Sequence, residues 1–225
     1  MASDPSALGR ATLWTGWDVR RGAAAPAQPA EAFAHMARLG PGAERRSELF
    51  AVAARGFRPP RFVSVAELSG DEQSGTSDES PQTGEAVEEG LRQTWALSYR
   101  CIAETGPEVV APYAIYLLGV NPPPGAIDAE LGVFNDFYTN VHLPEVAARH
   151  RAMRALRHEL EGELRPPQNG APRFLAVYEV DEESAANRRH VGPPYASGPD
   201  VWQRHTTPWR LWYRRVVDLA GGTHR

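Results

Sequence analysis

An internal repeat constrains this chain more than any other feature of its sequence. Arg58-Pro59-Pro60-Arg61-Phe62-Val63-Ser64-Val65-Ala66-Glu67-Leu68 has a second version further along. It reads Arg165-Pro166-Pro167, an insertion from Gln168 to Pro172, then Arg173-Phe174-Leu175-Ala176-Val177-Tyr178-Glu179-Val180. Downstream, Trp95-x-x-x-Tyr99-Arg100 matches Trp209-x-x-x-Tyr213-Arg214, and upstream Leu13–Val19 parallels Ile115–Val120. The spacings agree: 173 − 61 = 112 and 213 − 99 = 114. Three matches in one order predict a duplicated module of about 110 residues.

Each half carries the same succession of patterns. Bulky, β-branched runs predict strands at Leu13–Val19, Arg61–Leu68 and Trp95–Ile102, and again at Tyr113–Val120, Arg173–Val180 and Trp209–Val217. Helices are predicted at Ala30–Leu39, Glu130–Val141, Gly84–Gln93 and Asp200–His205. In the second of these, Phe134, Phe137, Tyr138 and Val141 fall at i, i+3, i+4 and i+7 on one face. Glu48–Phe57 and Met153–Glu163 are ambiguous: propensity favours helix, and the module order favours strand. The result is β-α-β-β-α-β twice over, the ferredoxin-like split βαβ pattern. The expected fold class is α+β, with residues 1–112 and 113–225 as two modules. The first is degenerate and carries an acidic Ser/Gly/Asp/Glu-rich loop at about 69–84, which reads as disordered.

In such a sheet two helices cover one face, and an apolar second face must be buried by something else. Two sheets placed face to face form a closed, pseudo-dimeric barrel within one chain. The space between them is an expected pocket for an apolar small molecule. The aromatic residues Trp14, Trp17, Tyr116, Trp209 and Tyr213 are candidates to line it. Tyr99 and Tyr178 also lie on these strands.

Composition narrows the chemistry. All 24 basic residues are arginine. Without lysine there is no Schiff base, no pyridoxal phosphate attachment and no Walker A lysine. Arginine stays protonated, so proton transfer falls to His, Asp, Glu, Tyr or Cys101. A formal charge of −4 argues against nucleic acid as a partner. One cysteine excludes an internal disulfide or a thiolate cluster, and Cys101, in an apolar strand, reads as an inert buried thiol. No apolar run is long enough for a membrane helix, and the start is unlike a secretory signal, so the expected location is cytoplasmic.

One segment carries a family resemblance. Phe134-Asn135-Asp136-Phe137-Tyr138-Thr139-Asn140-Val141-His142-Leu143-Pro144-Glu145 is similar to the F-x-x-[WY]-x-x-x-H-x-P-[DE] signature of EthD-like proteins. Those belong to the dimeric α+β barrel superfamily. The resemblance covers residues 113–217 well and residues 11–104 only in layout. It implies an α+β barrel, with His142 at the reacting centre and Tyr138, Asn135 and Glu145 beside it. The superfamily includes polyketide cyclases, cofactor-free monooxygenases of aromatic polyketides, lactone isomerases and haem-handling branches. In the first half the matching position holds Leu39 or Gly40, with His35 a turn too early. That asymmetry implies one site per chain.

Physical chemistry offers a parallel reading of His142. A residue two before Pro144 should end its helix, and a helix C-terminus favours an imidazolium. Such a histidine can shuttle protons near neutral pH, oriented by Glu145 or Asp136. His150 and His158, in the Arg-rich run 149–157 and just after it, read as solvated. His190 falls in a loop, His205 precedes the last strand, and His224 is in the tail. Phe137 and Arg214 are further candidates for substrate binding, Arg214 by bidentate contact with an anionic group. Arg61, Arg100 and Arg173 read as partners of carboxylates such as Glu67 or Glu179. No metal-ligand spacing occurs, and no cofactor is expected; a haem would need an axial histidine, for which His142 is the candidate.

These readings support three functions. The first is a tailoring enzyme of polyketide-like substrates, a cyclase, dehydratase or isomerase working by His142 proton transfer. The second is a cofactor-independent monooxygenase of an aromatic polyketide. The third is a non-catalytic ligand-binding barrel. A homodimer of such barrels is the expected assembly.

Overall fold

The structure is a computed structural model, described for residues 8–19, 47–52, 60–68, 91–109, 111–187 and 195–218. The expected helix at 30–39, the acidic loop at 69–84, His35, His190 and His224 lie outside these residues.

Eight strands form the molecule's frame: β1 (Ala11–Val19), β2 (Ser47–Val52), β3 (Phe62–Glu67), β4 (Leu91–Thr105), β5 (Ala114–Asn121), β6 (Arg154–Arg165), β7 (Phe174–Val180) and β8 (Thr206–Asp218). They close into an antiparallel barrel in the order β1-β3-β2-β8-β5-β7-β6-β4, with β4 returning to β1. Closure leaves no sheet edge unpaired. The first-half strands run β4-β1-β3-β2, and the second-half strands run β8-β5-β7-β6, which is the same order. The halves meet where β2 pairs with β8 and β4 with β6. Of the two segments left ambiguous by propensity, the described residues 48–52 of the first fall in β2 and nearly all of the second falls in β6; ladder pairing overrides local preference there. The helix expected at 84–93 does not include Leu91–Gln93, which open β4.

Alternation along the strands sorts side chains to two faces. The interior holds Trp14, Val63, Trp95, Leu97, Tyr99, Cys101, Ile115, Leu117, Leu156, Leu175, Val177, Trp209, Leu211 and Tyr213 as one packed cluster. One end of this core is built by reciprocal contacts between the halves. Trp95 and Trp209 pack with ring centroids 5.2 Å apart. Tyr99 donates to the Pro172 carbonyl at 2.8 Å, and Tyr213 donates to the Pro60 carbonyl at 3.3 Å. Gly16 lies under Trp95 and Pro60, and Gly119 under Trp209 and Pro172. A Cβ at either glycine would come within 3 Å of those side chains.

The outer face of β5–β8 is covered by helices. They are α1 (Asp128–Phe137), a π turn (Tyr138–His142), α2 (Leu143–His150), α3 (Glu182–Ala186) and α4 (Asp200–Gln203). Glu130 accepts from the Ile127 N–H at 3.2 Å at the start of α1 and pairs with Arg204 beyond α4 at 2.7 Å. The helical face expected from spacing is realised only in part. Phe134 and Tyr138 are fully buried, but Val141 is exposed, because the wider π turn rotates it out of phase. Pro144 does not stop the helix. Leu143 is in the α region, and Pro144 falls in the first turn of α2, where its missing N–H would have had no partner. Among the described residues no helix is long and apolar enough to cross a membrane.

Candidate functional site

The residues singled out by sequence fall on opposite faces of the sheet. Trp14, Trp209 and Tyr213 face the barrel interior. Tyr116, Tyr138, Phe137 and His142 lie in the layer between the outer face and the helices. Trp17 follows a β-bulge and donates to Ser64 at 3.0 Å, on the opposite face from the interior Val63. Arg214 alternates with Tyr213 and is exposed. The expected single pocket between the sheets therefore does not gather these residues. His142 and its signature neighbours sit on the far side of the sheet, because α1 and α2 carry them there.

In that outer layer His142 closes the π turn, half-buried among aromatic rings. Trp202 is 4.5 Å away between centroids, Tyr195 5.2 Å, Tyr138 5.7 Å and Phe137 6.3 Å. Its Nδ1 is buried and has no hydrogen-bond partner among the described residues. Burial pushes its pKa down to about 4, helped by the positive charges of His205, Arg210 and Arg149. The imidazolium expected at a helix end is thus disfavoured: the helix continues, and cations surround the ring. Neither expected carboxylate orients it. Glu145 accepts from the Ala196 N–H at 3.3 Å, and Asp136 accepts from Asn140 at 2.7 Å.

Asn135 serves a residue that the sequence reading passed over. Arg157, on β6, points outward and is only 1% exposed. It donates to Asn135 at 2.6 Å and to Thr139 at 2.9 Å, and it lies over the rings of Tyr138 and Phe174 at 4.5 and 4.3 Å. Among the described residues no carboxylate pairs with it. Burial lowers its pKa to about 10. The Tyr138 and Tyr178 hydroxyls in this layer are also buried, with no hydrogen-bond partner among the described residues, and burial raises both phenol pKa values. Tyr116 stacks on Trp212 at 4.7 Å, with His150 at the same distance. His150 and His158, expected in solvent, are both buried. Alternation was the available signal: Leu156, His158 and Leu160 share one face of β6, and Arg157 takes the other.

The barrel interior is a different place chemically. Opposite the Trp95–Trp209 end is a cavity of about 80 Å³. Thr12, Trp14, Cys101, Ile115, Leu156, His158 and Val177 line its depth, and Arg10, Glu67, Glu108, Arg154 and Glu179 its rim. Arg10 pairs with Glu67 at 3.2 Å and Arg154 with Glu104 at 2.7 Å. Burial raises the Cys101 thiol to about 11, which keeps it protonated and unreactive. The repeat-matched arginines pair otherwise than expected: Arg100 with Glu161, and Arg173 with Glu159 at 3.1 Å. Among the described residues no group of His, Cys, Asp and Glu could hold a metal ion.

The chain shares its fold, a closed antiparallel α+β barrel, with solved structures. One is an anthrone oxidase-like protein, 11% identical, with a TM-score of 0.55, 97% of this chain covered and 98% of that one. Another is a chlorite dismutase mutant from Candidatus Nitrospira defluvii, 10% identical, with a TM-score of 0.55 and coverages of 93% and 92%. At such identities the likeness establishes the fold alone. No family model matches the chain, and no curated protein does.

Proposed function

We propose that this protein is a small-molecule tailoring enzyme whose reacting centre is the helix-covered layer of the second half, around His142. The observation that carries the proposal is the bare, buried Nδ1 of His142 at the end of a π turn. Buried polar atoms are nearly always bonded, and π turns recur at functional sites. A ligand hydroxyl or acidic C–H would give that nitrogen its missing partner. The surrounding cations make the layer suited to an anion. Arg149, Arg210 and His205 lower the pKa of His142, and the same charges favour a phenolate or enolate formed beside it. Arg157 holds Asn135 and Thr139, and with them the turn that presents His142. The substrate class is an aromatic, polyketide-like molecule that becomes an enolate or phenolate, stacking on Trp202, Phe137 and Tyr195. Glu145 fixes the loop at Ala196 that carries Tyr195 towards the ring.

Proton transfer of this kind serves cyclisation, dehydration or isomerisation. In the oxygenase reading the same anion reacts directly with O₂; the fold shared with an anthrone oxidase-like protein makes that worth assaying. The EthD-like resemblance and a tandem duplication belong to the same proposal. Two features support the duplication: the shared strand order of the halves and the exchanged bonds Tyr99–Pro172 and Tyr213–Pro60.

The test is turnover of a panel of hydroxylated anthrones and polyketide-like phenols by wild type and His142→Ala, with product and oxygen uptake followed together. Loss of about 100-fold or more in the variant is expected. Unchanged turnover in a folded variant overturns the proposal, and binding without turnover in the wild type assigns a ligand-binding barrel instead.

A further inference from the structure

The barrel interior contains a buried acceptor that the helix-side centre does not use. His158 is 2% exposed and lines the cavity, with its ring 6.0 Å from that of Trp14. His158 stands opposite Leu175 across β6 and β7; the Leu175 backbone favours the charged ring, while burial outweighs this and keeps the imidazole neutral. Nδ1 has no partner among the described residues. The other polar groups in the cavity's depth are engaged. Thr12 Oγ1 accepts from Trp14 at 2.9 Å and donates to the Tyr99 carbonyl, and Cys101 donates to the Ala103 carbonyl. The rest of the depth is apolar: Ile115, Leu156 and Val177.

Barrel packing does not itself call for a histidine here. His158 is opposite Cys101 across β4 and β6, and Phe50 is opposite Arg215 across β2 and β8. The offset of 114 that aligns Tyr99 with Tyr213 also aligns Cys101 with Arg215. Phe50 is therefore the register counterpart of His158, and the first half fills that position with a residue that has no acceptor. This step alone rests on the duplication.

We propose that the barrel interior is a second, separate site, for a short molecule whose apolar chain ends in one hydroxyl or ammonium head, which bonds Nδ1 of His158. Size sets the chain length. The cavity is about 80 Å³, roughly half of the ~150 Å³ that holds a benzene ring. That suits a chain of a few heavy atoms, such as a short primary alcohol or alkylammonium ion. Charge at the rim sets the sign. Arg10 and Arg154 stand among Glu67, Glu104, Glu108 and Glu179, so carboxylates outnumber guanidinium groups and an anionic ligand is repelled. The site is independent of the reacting centre proposed around His142, which lies across the sheet.

The experiment uses the full chain labelled with ¹⁵N-histidine. The Nδ1 resonance of His158 is assigned by its absence in His158→Phe. n-Propanol, n-propylammonium and propionate are titrated in turn, with affinity measured calorimetrically. The expected result is a saturable upfield shift of the His158 Nδ1 resonance with the alcohol or the ammonium, and none with propionate. Affinity should fall roughly threefold to tenfold in His158→Phe, the size of one hydrogen bond. No saturable shift with any probe, an equal response to propionate, or equal affinity in a folded His158→Phe overturns the proposal. If His158→Phe does not fold, the wild-type shift, assigned by elimination with the other histidine variants, decides alone. His142→Ala should bind these probes as the wild type does, so this site and the helix-side centre fail or stand separately.

Discussion

Two histidines, one on each side of the same sheet, show how differently this fold treats one residue type. Neither His142 nor His158 has a hydrogen-bond partner for Nδ1 among the described residues, and burial pushes both pKa values down to about 4. Their surroundings differ. His142 sits among rings from α1, the π turn, a short helix and a loop, with cations from α2, a loop and β8. His158 sits on a central strand inside a closed barrel, where packing fixes every neighbour. On the proposed readings, the cations near His142 would stabilise negative charge, and the acid-rich rim of the cavity would exclude it. The variants below set one side against the other.

The largest effect is expected at Arg157, which ties the layer to the sheet. Arg157→Ala removes the donors to Asn135 and Thr139 and leaves a void between the Tyr138 and Phe174 rings. Destabilisation of about 3–4 kcal/mol is expected in urea unfolding, with the interior cavity keeping its ligand response. A loss below about 1 kcal/mol would show that the buried guanidinium does not organise the layer.

Next in size is the contrast in turnover. His142→Ala should lose about 100-fold, equivalent to roughly 2.7 kcal/mol, while His158→Phe stays within about twofold of wild type. Equal losses would mean that the two sides form one site.

The sequence showed the barrel more readily than the site, for physical reasons. β-branched runs and the repeat are properties of strands read singly, so the Leu13–Val19, Phe62–Glu67 and Phe174–Val180 regions were legible. β6 was not, since its helix-favouring residues become a strand only through partners on β4 and β7. The face of each aromatic was legible only by parity: Trp14 and Trp17 are three residues apart on β1, so alternation sends them to opposite faces. Pro144 misled for a related reason: as a helix breaker it signals an end, yet within a first turn it is well tolerated. The signature did place His142, Tyr138, Phe137 and Asn135 close together. It could not show that Asn135 serves Arg157, or that a buried arginine follows from a run that reads as solvent-exposed.

pH separates the two histidines from an ordinary surface pair. A lowered folded pKa means that the unfolded chain binds protons first as pH falls. Stability is then fully present above the unfolded value of about 6.5 and is lost as pH falls towards 4. Each histidine should contribute on the order of 2 kcal/mol across that window. Unfolding free energy measured between pH 7 and pH 4.5 should fall less steeply in His158→Phe than in the wild type. An unchanged slope would mean that His158 is protonated in the folded protein, which would remove the acceptor assigned to the cavity.

The smallest effect is expected at the other arginine over Phe174. Arg173 lies 5.2 Å from that ring, against 4.3 Å for Arg157, and its chemistry is the same. Its side chain is 44% exposed, its partner Glu159 is 38% exposed, and water screens their attraction. Arg173→Ala should therefore change stability by no more than about 0.5 kcal/mol and leave turnover and the cavity's ligand response unaltered. The ring contact is common to both arginines, so the pair of variants separates stacking from burial. If Arg173→Ala costs as much as Arg157→Ala, the guanidinium–ring contact carries the energy. If it costs almost nothing, the energy lies in what only Arg157 has: burial, the Tyr138 ring and the bonds to Asn135 and Thr139.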